Sequence, residues 1–453
     1  MATPPKGMIY GVDDKPPFFV TILLGLQHIF TMSSMLVLPV VIVQEIGGSF
    51  LEINSVVSFS MIAAGFGTIL QSLKRGPIGS GYLCPNLCGP SYMAVSLEAG
   101  WLGGLPLMHG MIMLSGLAEM AFAQVIPKLK KLFPPEITGL VVIMVGVALI
   151  PLGVSRFIGV EYSGDSIEPP KIIIACITLC VMIGLNIWGK GKIRLYGVLI
   201  GIIVGYLLSL AVGLIGSAEI KQVSQTPLFS LPGQGVKMFR YAFDPSLIIP
   251  FILISIIQCL KSFGNIITCQ KLSDDDWKEP DLKNVGKGLM ASGISVFTCG
   301  LLGGVATDTS ASNVGLSAAT GANSRVIAWS GGGIFILLGF LPKMAALFTI
   351  MPQPVMGAIV VFVTCFMLIS GMQIILSNPI STRMIFIIGI SMIFGLSADI
   401  SSSLFFTVPS WLVPICSSSL TVSTLLAVIL NQIFVVHDHQ PAKTAEKAVK
   451  PHA

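Results

Sequence analysis

Long apolar runs alternate with short polar connections along nearly the whole chain. A run of roughly 20 apolar residues is long enough to cross the hydrocarbon core of a bilayer as a helix. Such runs occur at Phe18–Val43, Ile53–Leu73, Leu105–Ile126, Ile137–Val154, Ile172–Trp188, Tyr196–Ile215, Leu247–Thr268, Val326–Leu341, Val355–Ile375, Met384–Leu396 and Val422–Val436. Two stretches break the pattern: GPIGSGYLCPNLCGPSYMAV, from Gly76 to Val95, and GGVATDTSASNVGLSAATG, from Gly303 to Gly321. Both are rich in Gly, Pro, Ser and Thr and almost free of charge. Irregular backbone at membrane depth is tolerated only where it lines a cavity or is buried by protein. Together the two stretches are expected to build a binding site.

Composition supports the membrane reading and excludes a soluble domain. Of 453 residues, 53% are hydrophobic and only 10% charged, with a mean hydropathy of +0.88. The polar, Pro-rich start leads directly into the first apolar run, so that helix is expected to remain in the mature protein. Lys74 and Arg75, Lys128, Lys130 and Lys131, Lys190, Lys192 and Arg194, Lys271 to Lys287, Arg325, Arg383 and the tail lysines fall in alternate connections. By the positive-inside rule those connections, and both termini, are expected in the cytoplasm, which fits a bacterial inner membrane. Glu45, Glu52, Glu161, Asp165 and Glu168 mark the other side. The net charge of +5 therefore reflects topology, and no nucleic-acid partner follows from it.

Chemistry of the enzymatic kind is not indicated. There is no HExxH, no pair of His ligands and no nucleophile elbow. The nine cysteines lie mostly in apolar spans and read as buried thiols. Cys84 and Cys88, like Cys176 and Cys180, are spaced to share a helix face, but no His or acidic cluster accompanies them, so neither a metal nor a cofactor is expected. His437 and His439 belong to a solvated tail.

The chain also repeats itself. The motif PKxxxLF, a Pro-containing turn and then matched glycines and valines occur from Pro127 to Gly153 and again from Pro342 to Gly371. Pro127, Lys128, Leu132 and Phe133 answer to Pro342, Lys343, Leu347 and Phe348. Gly139, Val142, Val145 and Gly153 answer to Gly357, Val360, Val363 and Gly371. The charge pattern puts Lys128 and Lys343 on opposite sides, so the copies are expected to be inverted, a transporter hallmark that places the site near the midplane at broken helices.

Asn313-Val314-Gly315, four residues and then Thr320-Gly321 resemble the signature of the nucleobase–ascorbate transporters (nucleobase cation symporter family 2, the xanthine/uracil permeases). Leu26-Gln27-His28, Gly79-Ser80-Gly81 and SSSLTVSTLLAVILNQIF are similar to further segments of that family. The resemblance implies an all-α polytopic membrane protein of fourteen spans in two inverted sevens, with short strands in spans three and ten. It implies a core domain at 1–126 and 244–351, a gate domain at 127–243 and 352–436 that also forms a homodimer, and a cytoplasmic tail at 437–453. The activity implied is symport of xanthine, urate, uracil or another nucleobase, coupled to protons or else sodium, by an elevator movement in the lipid bilayer. Signature positions are Asn313, Gly315, Thr320 and Gly321.

The departures from the family pattern concern the residues that grip the base. Lys261 stands where a Glu is usual, Asn265 follows it, Ser292 replaces an Asp, and Ser312 occupies the first signature position. The stacking aromatic aligns with Pro90, and Tyr92 is expected to take its place. Substrate is thus expected at Gly89, Ser91, Tyr92, Lys261, Asn265, Ser312 and Asn313. A charge inside a span faces a partner or a wet cavity, and Asp308 is the expected partner of Lys261, the pair coupling substrate to ion. Lys261 also opens the alternative of another small organic anion. His28 is read either as a hydrogen-bonding link between the first and third spans or as a proton carrier. His109 and Glu119 are read as links between helices, with no function assigned.

Overall fold

The computed structural model describes residues 8–132, 134–160, 167–189, 197–233, 240–277, 280–376, 379–400 and 419–435. Among them seven helices are long and apolar enough to cross a membrane, or eight if one bent pair counts as a span. Shorter apolar helices lie at Phe18–Ile29, Ile200–Val212, Thr382–Ala398 and Ser419–Phe434. In chain order the elements are α1 (Phe18–Ser33), α2 (Val37–Glu45), α3 (Phe50–Gln71), β1 (Asn86–Cys88), α4 (Met93–Leu132), α5 (Pro135–Ile158), α6 (Pro169–Ile187), α7 (Gly197–Val212) and α8 (Ser217–Gln225). They continue with α9 (Ile248–Ser273), α10 (Leu282–Leu302), β2 (Thr307–Thr309), α11 (Ala311–Thr320), α12 (Arg325–Gly339), α13 (Pro342–Thr349), α14 (Gln353–Ile375), α15 (Thr382–Ile400) and α16 (Ser419–Val435). The tail at 437–453, the lysine connection at 190–196 and the acidic residues Glu161 and Asp165 lie outside the described residues.

Several boundaries differ from the apolar runs for identifiable reasons. The first run is divided by a tight 3-10 turn at Ser34–Leu36. The fourth-span helix starts earlier, at Met93, and is broken where Gly103 and Gly104 leave helical geometry, Gly104 with φ +67°, a conformation open to glycine. Val326–Leu341 ends in a bend of 78° into α13, because Pro342 cannot continue the helix before it. Cys88 lies in a strand and Cys84 precedes it in non-helical backbone, so the two do not share a helix face.

Helix pairs close on one another through small residues. A Cβ at Gly65 would lie 2.5 Å from the carbonyl of Gly332, and one at Gly332 would lie 2.6 Å from that of Gly65. The same reciprocal approach, 2.6 Å each way, joins Gly139 to Gly371. Because Gly357 in turn meets Phe157, α5 and α14 run antiparallel with their backbones in contact, the mode that small residues permit between membrane helices.

Two layers of charge lie at opposite ends of α3. At its start, Ser49 and Glu52 form a capping box, with the Ser49 amide donating to Glu52 at 2.7 Å, and Glu45 of α2 pairs with Arg156 of α5. Beyond its far end, Lys74 pairs with Asp13 at 2.7 Å, and Asp13 also receives Arg325 at 2.6 Å. This ties down the N-terminal segment, whose Ile9 and Tyr10 amides donate to Gly321 and whose Tyr10 and Val12 carbonyls accept from the Asn323 and Arg325 amides. The hydrogen bond from Lys74 and then the charge of Arg325 hold the Asp13 carboxyl below its ordinary 3.8, against a desolvation that opposes them.

A carboxyl so depressed contributes stability above its ordinary value and loses it as pH falls through the folded one. The segment should therefore stay tied at neutral pH and loosen only in acid below 3.8. Asp13→Asn should speed hydrogen exchange at the Ile9, Tyr10, Asn323 and Arg325 amides while leaving the melting temperature nearly unchanged, because an exposed pair contributes at most about 1 kcal/mol. Unchanged exchange by mass spectrometry would rule out the tie.

Candidate substrate site

The two broken spans meet. β1 and β2 pair antiparallel with Asn86 opposite Thr309, Leu87 opposite Asp308 and Cys88 opposite Thr307. Each strand is only three residues long and leads into a helix, β1 through a tight turn at Pro90–Tyr92 into α4 and β2 into α11. The helix starts bring a partial positive charge to the crossing, and the Tyr92 and Asn313 amides there already donate to the Gly89 carbonyl and the Ser310 hydroxyl. Close approach explains Gly89: a Cβ there would lie 2.7 Å from the Cβ of Asp308, and the Gly89 amide donates to Ala306 at 2.9 Å.

Asp308 is the centre of the network, with none of its side chain exposed. Its Oδ2 receives Lys261 of α9, and the Ser91 hydroxyl stands 3.5 Å from the same oxygen. Its Oδ1 accepts from Gln258, one turn before Lys261 on α9. Lys261 also reaches Ser91 at 3.4 Å and keeps 32% of its side chain exposed. Asp308 is therefore filled by protein donors, while Lys261 retains donors for a ligand. Next along α9, Ser262 bonds the Thr309 hydroxyl at 3.0 Å, and Asn265 donates to the carbonyl and hydroxyl of Thr309 at 3.0 and 2.9 Å.

The signature residues divide into two groups. Asn313 faces α1, where its Oδ1 takes the Nδ1 proton of His28 at 2.8 Å, and its Nδ2 donates to Ser310 at 2.8 Å. His28 thus links the first span to α11, not to the third span as the sequence suggested. Thr320 bonds the carbonyl of Leu316 at 2.9 Å, and Gly321, with φ +64°, ends α11 and accepts the N-terminal segment. Gly315 has open space where a Cβ would be. The side chain of Ser312 lies outside those described.

Tyr92, expected to stack on a base, has no exposed ring face; its hydroxyl bonds Glu119 at 2.6 Å. Gln258, Ser262 and Thr309 were missed by the sequence reading. Gln258 lies one turn before Lys261, and Ser262 lies four residues after Gln258 and three before Asn265; that helical spacing could have found both. Glu119 carried a weaker signal, a lone acid in an apolar helix.

A model of the Permease family matches residues 19–404, and the chain belongs to that family, the xanthine/uracil permeases that its motifs resemble. It is an integral membrane transporter and not an enzyme. A putative purine permease of Clostridium perfringens is 30% identical over 94% of this chain and 93% of its own length. The uric acid permease PucJ of Bacillus subtilis is 27% identical over 96% and 97%, and the xanthine permease XanP of Escherichia coli 25% over 94% of each. Among solved structures, the transmembrane domain of the cyanobacterial bicarbonate transporter BicA superposes with a TM-score of 0.57 at 13% identity, over 93% of this chain and 99% of that one. Murine Slc26a9, an anion transporter, gives 0.59 at 12% over 95% and 70%. These last two likenesses concern the fold alone.

The tight approach at Gly89 predicts a contrast. Gly89→Ala should push β2 away and lower stability by about 1–3 kcal/mol, as overpacking does. Gly315→Ala, in a helix with room for a methyl, should leave stability equal or raised. Thermal melting of the detergent-purified variants decides, and equal losses at both positions would refute the packing account.

Proposed function

We propose that this permease is a secondary active transporter that takes up an oxopurine such as xanthine or uric acid together with protons. The observation that carries the reading is Lys261, a partly exposed cation at the strand crossing, in a chain whose relatives over nine tenths of its length are named as purine, uric acid and xanthine permeases. Lys261 and the two helix starts offer donors and positive potential, which suit the carbonyl oxygens and delocalised negative charge of an oxopurine. Asp308 keeps Lys261 in place without itself competing for ligand N–H groups.

In this reading the core comprises 1–126 and 244–351, and it holds every element that meets at the site: α1, β1, α9, β2 and α11. The gate comprises 127–243 and 352–436, with α5 against α14. Their antiparallel contact supports an inverted repeat of fourteen spans, as does the start of each helix after an extended proline, Pro134 with ψ 161° and Pro352 with ψ 141°. Uptake follows an elevator movement of the core past the gate within a homodimer. The layer of Asp13, Lys74 and Arg325 supports a cytoplasmic N-terminus.

Uptake of radiolabelled xanthine, uric acid and uracil, with and without a proton-dissipating agent, tests the reading. Saturable uptake of one of the oxopurines that collapses when the gradient is dissipated is expected. Unsaturable ion current, or uptake only of unrelated organic anions, would overturn it. Lys261→Ala should cut oxopurine uptake at least about tenfold, because it removes the ligand's cation and leaves Asp308 buried without a counter-charge. Wild-type affinity in that variant would remove Lys261 from the site.

A further inference from the structure

Behind the site lies a second acid. Glu119 of α4 is fully buried at membrane depth. Its Oε1 is 2.6 Å from the Tyr92 hydroxyl, and its Oε2 has no hydrogen-bond partner. The groups around it come from every element packed there. Ser255 of α9 stands 3.5 Å from the Tyr92 hydroxyl, and Cys259 of the same helix donates its thiol to the Glu119 carbonyl at 3.8 Å. Ser292 of α10 faces the carboxyl, and Asp308 of β2 is near enough for its charge to be felt there. The titratable neighbours are therefore Tyr92, Cys259 and Asp308, and no ion pair involving Glu119 occurs among the described residues.

We propose that Glu119 is the carboxyl that binds the coupled proton. This rests on the proton-symport reading above. Burying a carboxylate with no counter-charge is strongly disfavoured relative to burying the acid, so a conformation that buries Glu119 must take up a proton, and one in which water reaches the carboxyl can release it. The path to the substrate is short. Tyr92, which bonds Glu119, is the neighbour in sequence of Ser91, which contacts both Asp308 and Lys261. When an oxopurine draws the Lys261 ammonium away, Asp308 is left as an uncompensated negative charge beside Glu119. Like charges at close quarters favour the protonated form of the neighbour, so Glu119 keeps its proton while substrate is bound. The step is one proton from bulk water onto the Glu119 carboxylate for each substrate taken up. It leaves when the substrate departs, Lys261 closes again on Asp308, and water reaches the carboxyl. Linkage makes the effect mutual: proton on Glu119 tightens substrate binding by the factor with which substrate tightens proton binding.

The test is calorimetric titration of purified full-length protein with uric acid, in buffers of different ionisation heat, which counts protons directly. Wild type should take up about one proton per uric acid, as linkage requires when one carboxyl carries the coupling. Glu119→Gln should bind uric acid with none taken up. In proteoliposomes that variant should exchange labelled for unlabelled uric acid but lose accumulation driven by a pH gradient. A merely structural role would move affinity or yield and leave the proton count intact. Unchanged proton uptake in Glu119→Gln, with a coupled wild type, overturns Glu119 alone. A wild type with neither proton uptake nor gradient-driven accumulation overturns the symport reading and the role of Glu119 with it. If Glu119→Gln does not fold, Glu119→Asp is read instead, where a shifted pH midpoint of uric acid binding supports the proposal and an unmoved one refutes it.

Discussion

Backbone that leaves the helix at membrane depth must find its hydrogen bonds within the protein, and the meeting of β1 with β2 is how this chain meets that demand. Each broken span satisfies the other. Gly89 donates to Ala306, and Ser310 donates to Pro85, both at 2.9 Å. Side chains complete what three-residue strands cannot: Thr68 accepts the Asn86 amide at 2.9 Å and Ser60 accepts that of Val305 at 3.0 Å. Both come from α3, which therefore acts as a polar spine beneath the strands despite its apolar composition. Once the strands are paired, two helix starts are fixed at the same place.

That arrangement also decides which charges the site can hold. A lysine near two helix starts adds positive charge to positive potential, and Asp308, held from below by Gln258 and from the side by Ser91, offsets it. Ser262, Asn265 and Thr309 then lock α9 to β2. The locking matters because Lys261 and Asp308 sit on different elements, α9 and β2. Without it the pair would sample many geometries, and an exchange of Lys261 between Asp308 and a ligand would carry no fixed energy difference.

Sequence periodicity makes the spans legible because lipid imposes one length and one polarity on all of them. It exposes the two broken stretches for the same reason, and an isolated Lys261 and Asp308 stand out against so apolar a background. What it cannot show is which way a side chain turns. Tyr92 follows Ser91 directly, yet one contacts the charge pair and the other Glu119, because the turn at Pro90–Tyr92 directs them to different neighbours. The partner of His28 is 285 residues away, and nothing local to either residue specifies that meeting. The signature likewise reads as one motif, although Asn313 bonds His28 of α1 and Ser310 while Thr320 and Gly321 finish a helix and anchor the N-terminal segment.

A carrier must bind its cargo well enough to capture it and weakly enough to release it, and an unopposed cation at two helix starts would fail the second condition for an anionic ligand. The buried Asp308 supplies the opposition. Where Lys261 binds the cargo as proposed, ligand and Asp308 compete for the same ammonium, so the free energy of capture would be the difference between two similar interactions and would stay small. Competition of this kind also transmits information, since every binding event changes the charge felt by groups behind Asp308. A solitary lysine would bind more tightly and report nothing. On the proposed reading the ion pair at the strand crossing would make release possible, and by the same exchange it would link occupancy of the site to the polar groups buried beneath it.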